Sequence, residues 1–210
     1  MDSIGIITRM DSLSKGRVKI CIDEFAFVLY RSELNLYSLK EGMELKTAVY
    51  EEIVETILKK RAKKRAMNLL QKRAYTRWQL EQKLKEGFYP KDVIETAITY
   101  VESYHYIDDF AYAMEYAEYH KEGKSWKNIQ EALRRKGIDA KVLQQVEVEL
   151  FPEGTQELEY QLAIELLRKK QYFETDCDYA QKQKLFGYLM RKGISSEMIR
   201  RALDCTLEME

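Results

Sequence analysis

Apolar residues near the N-terminus fall in three short runs that are rich in β-branched and aromatic side chains. The runs span residues 4–8, 18–22 and 25–30, and polar or glycine-containing segments separate them. Residues 17–22, Arg-Val-Lys-Ile-Cys-Ile, alternate with a period of two, which is typical of a strand with one buried face. The pattern predicts a small three-stranded antiparallel meander, followed at residues 32–37 by a single helical turn.

The apolar spacing changes to three or four residues from Thr47 onward. This period is that of one face of an amphipathic helix. It predicts a helix from Thr47 to about Arg73 that joins the small sheet to the rest of the chain. The apolar positions are Ile53, Val54, Ile57, Leu58, Ala62, Ala66, Leu69 and Leu70.

One helical unit then occurs three times. Each copy has a leucine near the end of a helix, a glycine, and Phe or Ile before a second apolar stripe, and a further helix precedes each copy. We expect each glycine to end its helix at the C′ position, where a positive φ costs glycine little. The three copies of this motif span residues 84–88, 133–138 and 189–194, and the preceding helices span residues 59–73, 109–121 and 156–170.

Capping residues mark where the helices of each unit begin. Ser, Thr and Asp are favoured N-caps, and Pro is favoured at the first helical position, which we assign to Pro90. The middle helix of the third copy is expected to begin near residues 176–178. The predicted N-caps are Thr76, Ser125, Asp139 and Ser195.

The repeats define the predicted architecture. The chain is mainly α, with three tandem three-helix repeats after a small N-terminal antiparallel β meander. A single unit cannot bury all its apolar surface, so the units are expected to stack into an elongated curved array. The predicted parts are a β-rich domain at 1–46, the linking helix and first repeat at 47–106, the second repeat at 107–152 and the third at 153–210.

Composition agrees with a helical protein and argues against a membrane or secreted protein. Nine Gly and two Pro in 210 residues are well under half of the usual share of about 12%. No apolar run approaches the roughly 20 residues of a membrane span, and the N-terminus does not resemble a secretory signal. Cys21, Cys177 and Cys205 lie far apart without metal-ligand spacing. We therefore expect reduced thiols in a cytoplasmic protein with no membrane association.

The net charge of zero conceals a strong segregation of charge. Residues 56–80 contain nine basic and no acidic side chains, whereas residues 139–165 contain seven acidic side chains and Lys141. Basic clusters of this kind are typical of a surface that contacts nucleic acid or another polyanion, although a solvated helix face remains an alternative. The candidate DNA- or partner-binding residues are Lys59, Lys60, Lys63, Lys64, Arg73, Arg77, Lys124, Trp126, Lys127, Arg134, Arg135, Lys136, Arg191 and Lys192.

Aromatic residues stand beside several of these cations. Trp78 follows Arg77, and Trp126 precedes Lys127. Aromatics interleaved with Lys and Arg can stack on unpaired bases, and core packing at the start of a helix is the alternative for both tryptophans.

Catalytic and metal-binding motifs are absent from the sequence. His105 and His120 are the only histidines, and they have no metal-ligand spacing. The Asp108-Asp109 pair is interpreted as the start of a helix. Because no acid, base and nucleophile come together, we expect neither an enzyme nor a cofactor.

Three segments resemble the RecX family of recombination regulators. The central one, Tyr-Ile-Asp-Asp-Phe-Ala at residues 106–111, is the most specific. The resemblance covers about residues 60–208, and the N-terminal meander is similar to an extra segment of some bacterial members. The matching positions are 66–70, Arg73, 75–76 and 80–88 for the opening of the family pattern, 106–111, 123–125, Ile129, Leu133 and 136–138 for its central motif, and 189–194 for its tail.

The resemblance implies a non-enzymatic modulator of the RecA recombinase in DNA repair and the SOS response. Such proteins bind the groove of the RecA–DNA filament and restrain ATP hydrolysis and strand exchange, and many bind DNA. The implied partners are therefore the RecA filament and single- and possibly double-stranded DNA, contacted by a monomer. The acidic segment at 139–165 is an alternative contact for a basic protein surface. Two other functions stay open, a stand-alone helical DNA-binding protein and a protein-interaction solenoid without a nucleic-acid role.

Overall fold

The computed structural model describes residues 3–23, 25–174 and 177–204 of the chain. The chain divides into two compact units, which we call unit 1, up to Asp108, and unit 2, from Asp109 onward. Among the described residues, no helix has the length and apolar character to cross a membrane. Cys21 and Cys177 are not joined in a disulfide, and Cys205 lies outside the described residues.

Unit 1 begins with a four-stranded antiparallel sheet. Its strands are β1 (Ser3–Ser12), β2 (Arg17–Ile22), β3 (Phe25–Tyr30) and β4 (Glu44–Lys46), in the order β3-β2-β1-β4. The predicted meander corresponds to β1–β3 and is confirmed. The prediction omitted β4, which pairs with the first half of β1. Three residues are too few to show an alternating pattern, so this strand could not be predicted from the sequence.

One long helical rod links the sheet to the first repeat, after the short helix α1 (Arg31–Leu36). The rod consists of α2 (Thr47–Ile53), a π-helical segment (Val54–Leu58) and α3 (Lys59–Leu70), and its junction residues keep right-handed helical dihedrals. In the π segment the N–H of Lys59 donates to the carbonyl of Val54, five residues earlier. The predicted helix is therefore confirmed, with its end three residues earlier than expected.

The sheet, the rod and the first repeat share one hydrophobic core. The repeat adds α4 (Arg77–Lys85) and α5 (Lys91–Ser103) to α3. Ile20 of the sheet, Leu58 of the rod and Ile98 of α5 all belong to this core and are almost completely buried. The N-terminal sheet therefore has no separate core of its own.

Unit 2 contains the second and third repeats, each with its own core. The second repeat consists of α6 (Asp109–His120), α7 (Trp126–Arg135) and α8 (Ala140–Leu150). The third consists of α9 (Gln156–Arg168), α10 (Tyr179–Arg191) and α11 (Ser196–Leu203). The three tandem three-helix repeats are thus confirmed, and their assembly into one elongated array stays a prediction.

Helix N-caps agree with most of the sequence predictions. The hydroxyl groups of Thr76 and Ser125 accept from the backbone N–H three residues ahead, at 3.2 and 3.4 Å. Asp139 caps α8 by accepting from Lys141 N at 2.8 Å, and Asp178 caps α10. Ser195 occupies the N-cap position without a side-chain cap bond. The prediction for Pro90 was wrong by one position, because Pro90 is the N-cap and α5 begins at Lys91.

The repeated helix endings differ at one glycine. Gly137 and Gly193 have φ of 83° and 81°, as expected for the C′ position. In the first repeat the positive φ belongs to Phe88 instead, at 58°. The reason is that Tyr89 N donates to the carbonyl of Leu84, the same five-residue spacing found in the other two copies. The residue before that donor must adopt the left-handed conformation, whatever its type.

Candidate nucleic-acid and partner interface

The cations of α3 lie on the faces that its core stripe leaves free. Ala62, Ala66 and Leu69 point into the core of unit 1. Lys60 and Lys64 are exposed one helical turn apart, with a rise of about 6 Å between them. They are the two predicted contact residues of α3 that are most open to a ligand.

Two other predicted residues of α3 are engaged within unit 1. Lys59 forms an ion pair with Glu55, one turn earlier on the rod. The ammonium group of Lys63 lies 4.8 Å from the ring centroid of Tyr100, a cation–π contact. Both side chains are half-buried, so they contribute less to an open surface than Lys60 and Lys64.

Arg77 does not fit the predicted contact role. Its guanidinium group forms ion pairs with Glu81 at 3.2 Å, Glu95 at 2.9 Å and Glu102. The hydrogen bond to Glu102 is the largest influence that raises the pKa of Arg77 above its usual value. Three carboxylates around one cation leave no excess positive charge for a phosphate.

Arg73 is exposed and stacks over the ring of Tyr75, at 4.3 Å.

Unit 2 brings cations from two repeats into one cavity. We call it the unit-2 cavity; its volume is about 390 Å³, and Lys124, Arg135 and Lys192 line it. Lys124 precedes α7 of the second repeat and Arg135 is the last residue of that helix, whereas Lys192 follows α10 of the third. The sequence pattern identified all three residues, and the fold places them around the same space.

Hydrogen bonds between the two repeats hold this cavity together. The Ser125 hydroxyl donates to the carbonyl oxygen of Lys192 at 2.9 Å, and the Asn128 side-chain amide donates to the same oxygen at 2.7 Å. The start of α7 is thereby fixed against the end of α10. Gly193 permits this approach, because a Cβ atom there would lie 2.3 Å from the Ser125 hydroxyl oxygen.

The remaining predicted cations of unit 2 have different surroundings. Lys127, Arg134 and Arg191 are exposed. Lys136 is half-buried and lies 5.3 Å from the ring centroid of Tyr116. Lys124 and Lys136 also act with burial, the larger cause, to lower the pKa of His120. This end of the second repeat is therefore electropositive.

The two tryptophans have opposite environments. Trp126 is only 6% exposed and packs against Phe151, with 5.3 Å between ring centroids. Its indole N–H is buried without a hydrogen-bond partner among the described residues. Trp126 is thus a core residue whose ring is closed to a base, and its predicted contact role does not fit this placement. Trp78 is 45% exposed.

Sequence reasoning missed three cations that lie near Lys60 and Lys64. Lys15, Arg17 and Arg65 line the same cleft as these two lysines. The turn sequence Ser14-Lys15-Gly16-Arg17 carried a signal, since it sets two cations at one hairpin. Its proximity to α3 depends on tertiary packing that no local pattern reveals.

The described residues contain no group of three or more His, Cys, Asp or Glu side chains placed to hold a metal ion. The two histidines are in separate surroundings, His105 on an exposed turn and His120 at the end of α6.

Known proteins resemble this chain over nearly its whole length. Residues 62–100 match the family model "RecX, first three-helix domain", and residues 157–203 match "RecX, third three-helix domain". These ranges correspond to α3–α5 and α9–α11.

Similar curated proteins carry the name "Regulatory protein RecX". The one from Limosilactobacillus reuteri is 30% identical over 193 residues, covering 90% of this chain and 72% of the relative. The one from Caldanaerobacter subterraneus subsp. tengcongensis is 28% identical over 204 residues, covering 96% and 100%. A solved structure titled "Crystal structure of regulatory protein RecX" is 26% identical, with a TM-score of 0.62 over 96% of this chain and 100% of that chain.

Proposed function

The chain belongs to the RecX family of regulatory proteins, and from that premise we propose that it binds the RecA filament on DNA and inhibits its activity. ATP hydrolysis and strand exchange by the filament are the activities that it restrains. It acts as a monomeric cytoplasmic protein with no cofactor of its own.

The observation that best supports this proposal is the unit-2 cavity. Two separate repeats contribute Lys124, Arg135 and Lys192 to it, and hydrogen bonds to the Lys192 carbonyl hold the start of α7 against the end of α10. A filament on DNA presents phosphates and acidic side chains. Cations that the fold already brings together bind such groups with a smaller free-energy cost of rearranging the protein.

Binding to the filament accounts for inhibition if it shifts the filament between two conformations. A ligand that binds one conformation of the filament better than another shifts the population toward the first. We therefore expect this protein to favour a filament state in which hydrolysis and strand exchange are slow.

The proposal predicts a dose-dependent fall in the ATPase rate of RecA on single-stranded DNA. The protein is titrated into preformed filaments, and phosphate release is followed. A triple substitution in the unit-2 cavity, Lys124→Gln/Arg135→Gln/Lys192→Gln, should raise the half-inhibitory concentration about tenfold, since three solvent-accessible contacts of about 0.5 kcal/mol each are lost.

A matched control distinguishes the effect of the cavity on inhibition from the effect of lower net charge. Lys182→Gln/Lys184→Gln/Arg200→Gln removes three exposed cations of unit 2 that lie outside the cavity, and it should inhibit like the wild type. An ATPase rate unchanged by saturating wild-type protein would overturn the proposed function. Equal potency of the two triple variants would remove the cavity from it.

A further inference from the structure

A large basic cleft in unit 1 includes Lys60 and Lys64, the two most open predicted cations of α3. We call it the unit-1 cleft; its volume is about 890 Å³. The β1–β2 hairpin contributes Lys15 and Arg17 to its lining, and α3 contributes Lys60, Lys64 and Arg65. The cleft thus combines the N-terminal sheet with the rod.

The charges of the unit-1 cleft do not cancel. Seven cations and two carboxylates line it. The carboxylates are already engaged, Glu33 with Arg61 and Glu86 with Lys83. The five other cations form no ion pair within the part of the chain that the structure describes. The five are Lys15, Arg17, Lys60, Lys64 and Arg65.

Two tyrosines lie among these cations. The guanidinium group of Arg61 stacks over the ring of Tyr30 at 4.7 Å, and Tyr89 is half-buried beside it. Burial raises the pKa of Tyr89, while the charges of Arg61 and Arg65 oppose that rise. The positive charge of the cleft therefore reaches the phenol group of Tyr89.

The hairpin places Lys15 on the rim by means of an unfavourable backbone conformation. Lys15 has φ of 63° and ψ of 36°, a left-handed conformation that costs a residue with a Cβ about 1 kcal/mol or more. Its side chain is exposed. Glycine or asparagine would adopt this conformation at a lower free-energy cost. Lys15 therefore adds a cation to the turn and lowers the stability of the folded turn.

We propose that the unit-1 cleft binds the sugar-phosphate backbone of a single-stranded nucleic acid. Five cations without an ion pair among the described residues, from the hairpin and from α3, line one cleft, which suits a chain of phosphates better than one isolated anion. Aromatic rings combined with Lys and Arg are the usual means of holding unpaired nucleotides. DNA is already an implied partner of the family, and this inference adds the site, which combines the β1–β2 hairpin with α3.

The lining of the cleft suits a strand better than a duplex. Its volume lies in the range of about 300–1,000 Å³ that encloses ligands of drug size, which admits a few linked nucleotides. A duplex keeps its bases paired and stacked, so it offers none to the tyrosine rings. An acidic protein segment offers carboxylates but no bases to stack on Tyr30 and Tyr89, so a single strand fits the lining better.

The test measures binding of the full-length protein to a fluorescent oligothymidylate of about 16 nucleotides, without recombinase and at several salt concentrations. The cleft variant is Lys15→Asn/Lys60→Gln/Lys64→Gln, in which asparagine tolerates the left-handed turn. The slope of log K against log salt should become shallower by about 2, since each phosphate contact with a single strand contributes about 0.7. Affinity at low salt should fall at least tenfold.

The control is again Lys182→Gln/Lys184→Gln/Arg200→Gln, which removes the same charge from exposed positions of unit 2. Circular dichroism melts establish that both variants fold. A cleft variant with the same affinity and slope as the control would overturn the inference. It would also be overturned if the cleft variant lost affinity for a duplex as strongly as for the single strand. The same holds if polyglutamate displaced the labelled strand at a concentration similar to that of unlabelled oligothymidylate. Because recombinase is absent, these outcomes are distinct from failure of the ATPase test.

Discussion

At the residue scale, Gly193 gives the sharpest prediction. In Gly193→Ala the new Cβ would approach the Ser125 hydroxyl and Asn128 amide groups that bind the Lys192 carbonyl. A left-handed alanine alone costs about 1–2 kcal/mol, so we expect a larger loss of unit-2 stability. Urea unfolding followed by circular dichroism measures it.

Gly187→Ala is the matched comparison. Gly187 lies within α10, and a Cβ there meets only Arg191, at 3.5 Å. Because alanine favours a helix over glycine by about 1 kcal/mol, this variant should be as stable as the wild type or more so. Equal stability of the two variants would contradict the packing described at the repeat junction.

The type and position of a residue predict its backbone structure better than they predict its contacts. Thr76 and Ser125 were recognisable as N-caps because capping depends on the three residues that follow. Arg77 was assigned to a ligand, yet its partners are carboxylates up to 25 residues away. Phe88 shows a third case, where the hydrogen-bond spacing of the repeat overrides the local preference for glycine.

At the element scale, continuous patterns were predictable and short or irregular elements were not. The alternation in β2 and the stripe of the rod each span enough residues to define a period. β4 has three residues and depends on pairing with β1, about 40 positions away. The π segment leaves no periodic signature, and the unit-1 cleft arises only when the hairpin packs near α3.

The contact between the sheet and the rod predicts a dependence of stability on pH. Tyr50 of α2 lies edge-on to Phe25 and Phe27 of β3, with centroid distances of 5.7 and 5.6 Å. Burial, aided by the charge of Asp92, raises the pKa of Tyr50 to about 12 from its usual 10.0. Between these pH values the unfolded chain ionises while the folded phenol stays protonated. This contribution to stability is complete below pH 10 and is lost as the pH rises toward 12.

Tyr50→Phe removes the titrating group and keeps the ring. Its Tm should fall less than that of the wild type between pH 10 and 12, measured by thermal melts. Tyr119→Phe provides the comparison, because Tyr119 is 84% exposed, and it should behave like the wild type. Parallel loss of stability in all three proteins would show that Tyr50 does not anchor this interface.

At the scale of the whole molecule, the repeats were predictable because their helix endings recur in the sequence. The same three-helix unit appears in α3–α5, α6–α8 and α9–α11, and family models match the first and third of them. The sequence did not reveal that the sheet shares the core of the first repeat, since that core joins residues far apart in the chain. The elongated array of repeats is a further prediction that follows from the repeat pattern.

The central claim is that this protein binds the recombinase filament as an assembly of protein and DNA. Co-sedimentation tests it most directly, with the protein incubated with RecA alone, single-stranded DNA alone, or RecA filaments on that DNA. We predict that most of the protein pellets with filaments at concentrations where DNA or RecA alone carries little of it. Equal pelleting with naked DNA, or none with filaments, would contradict the account.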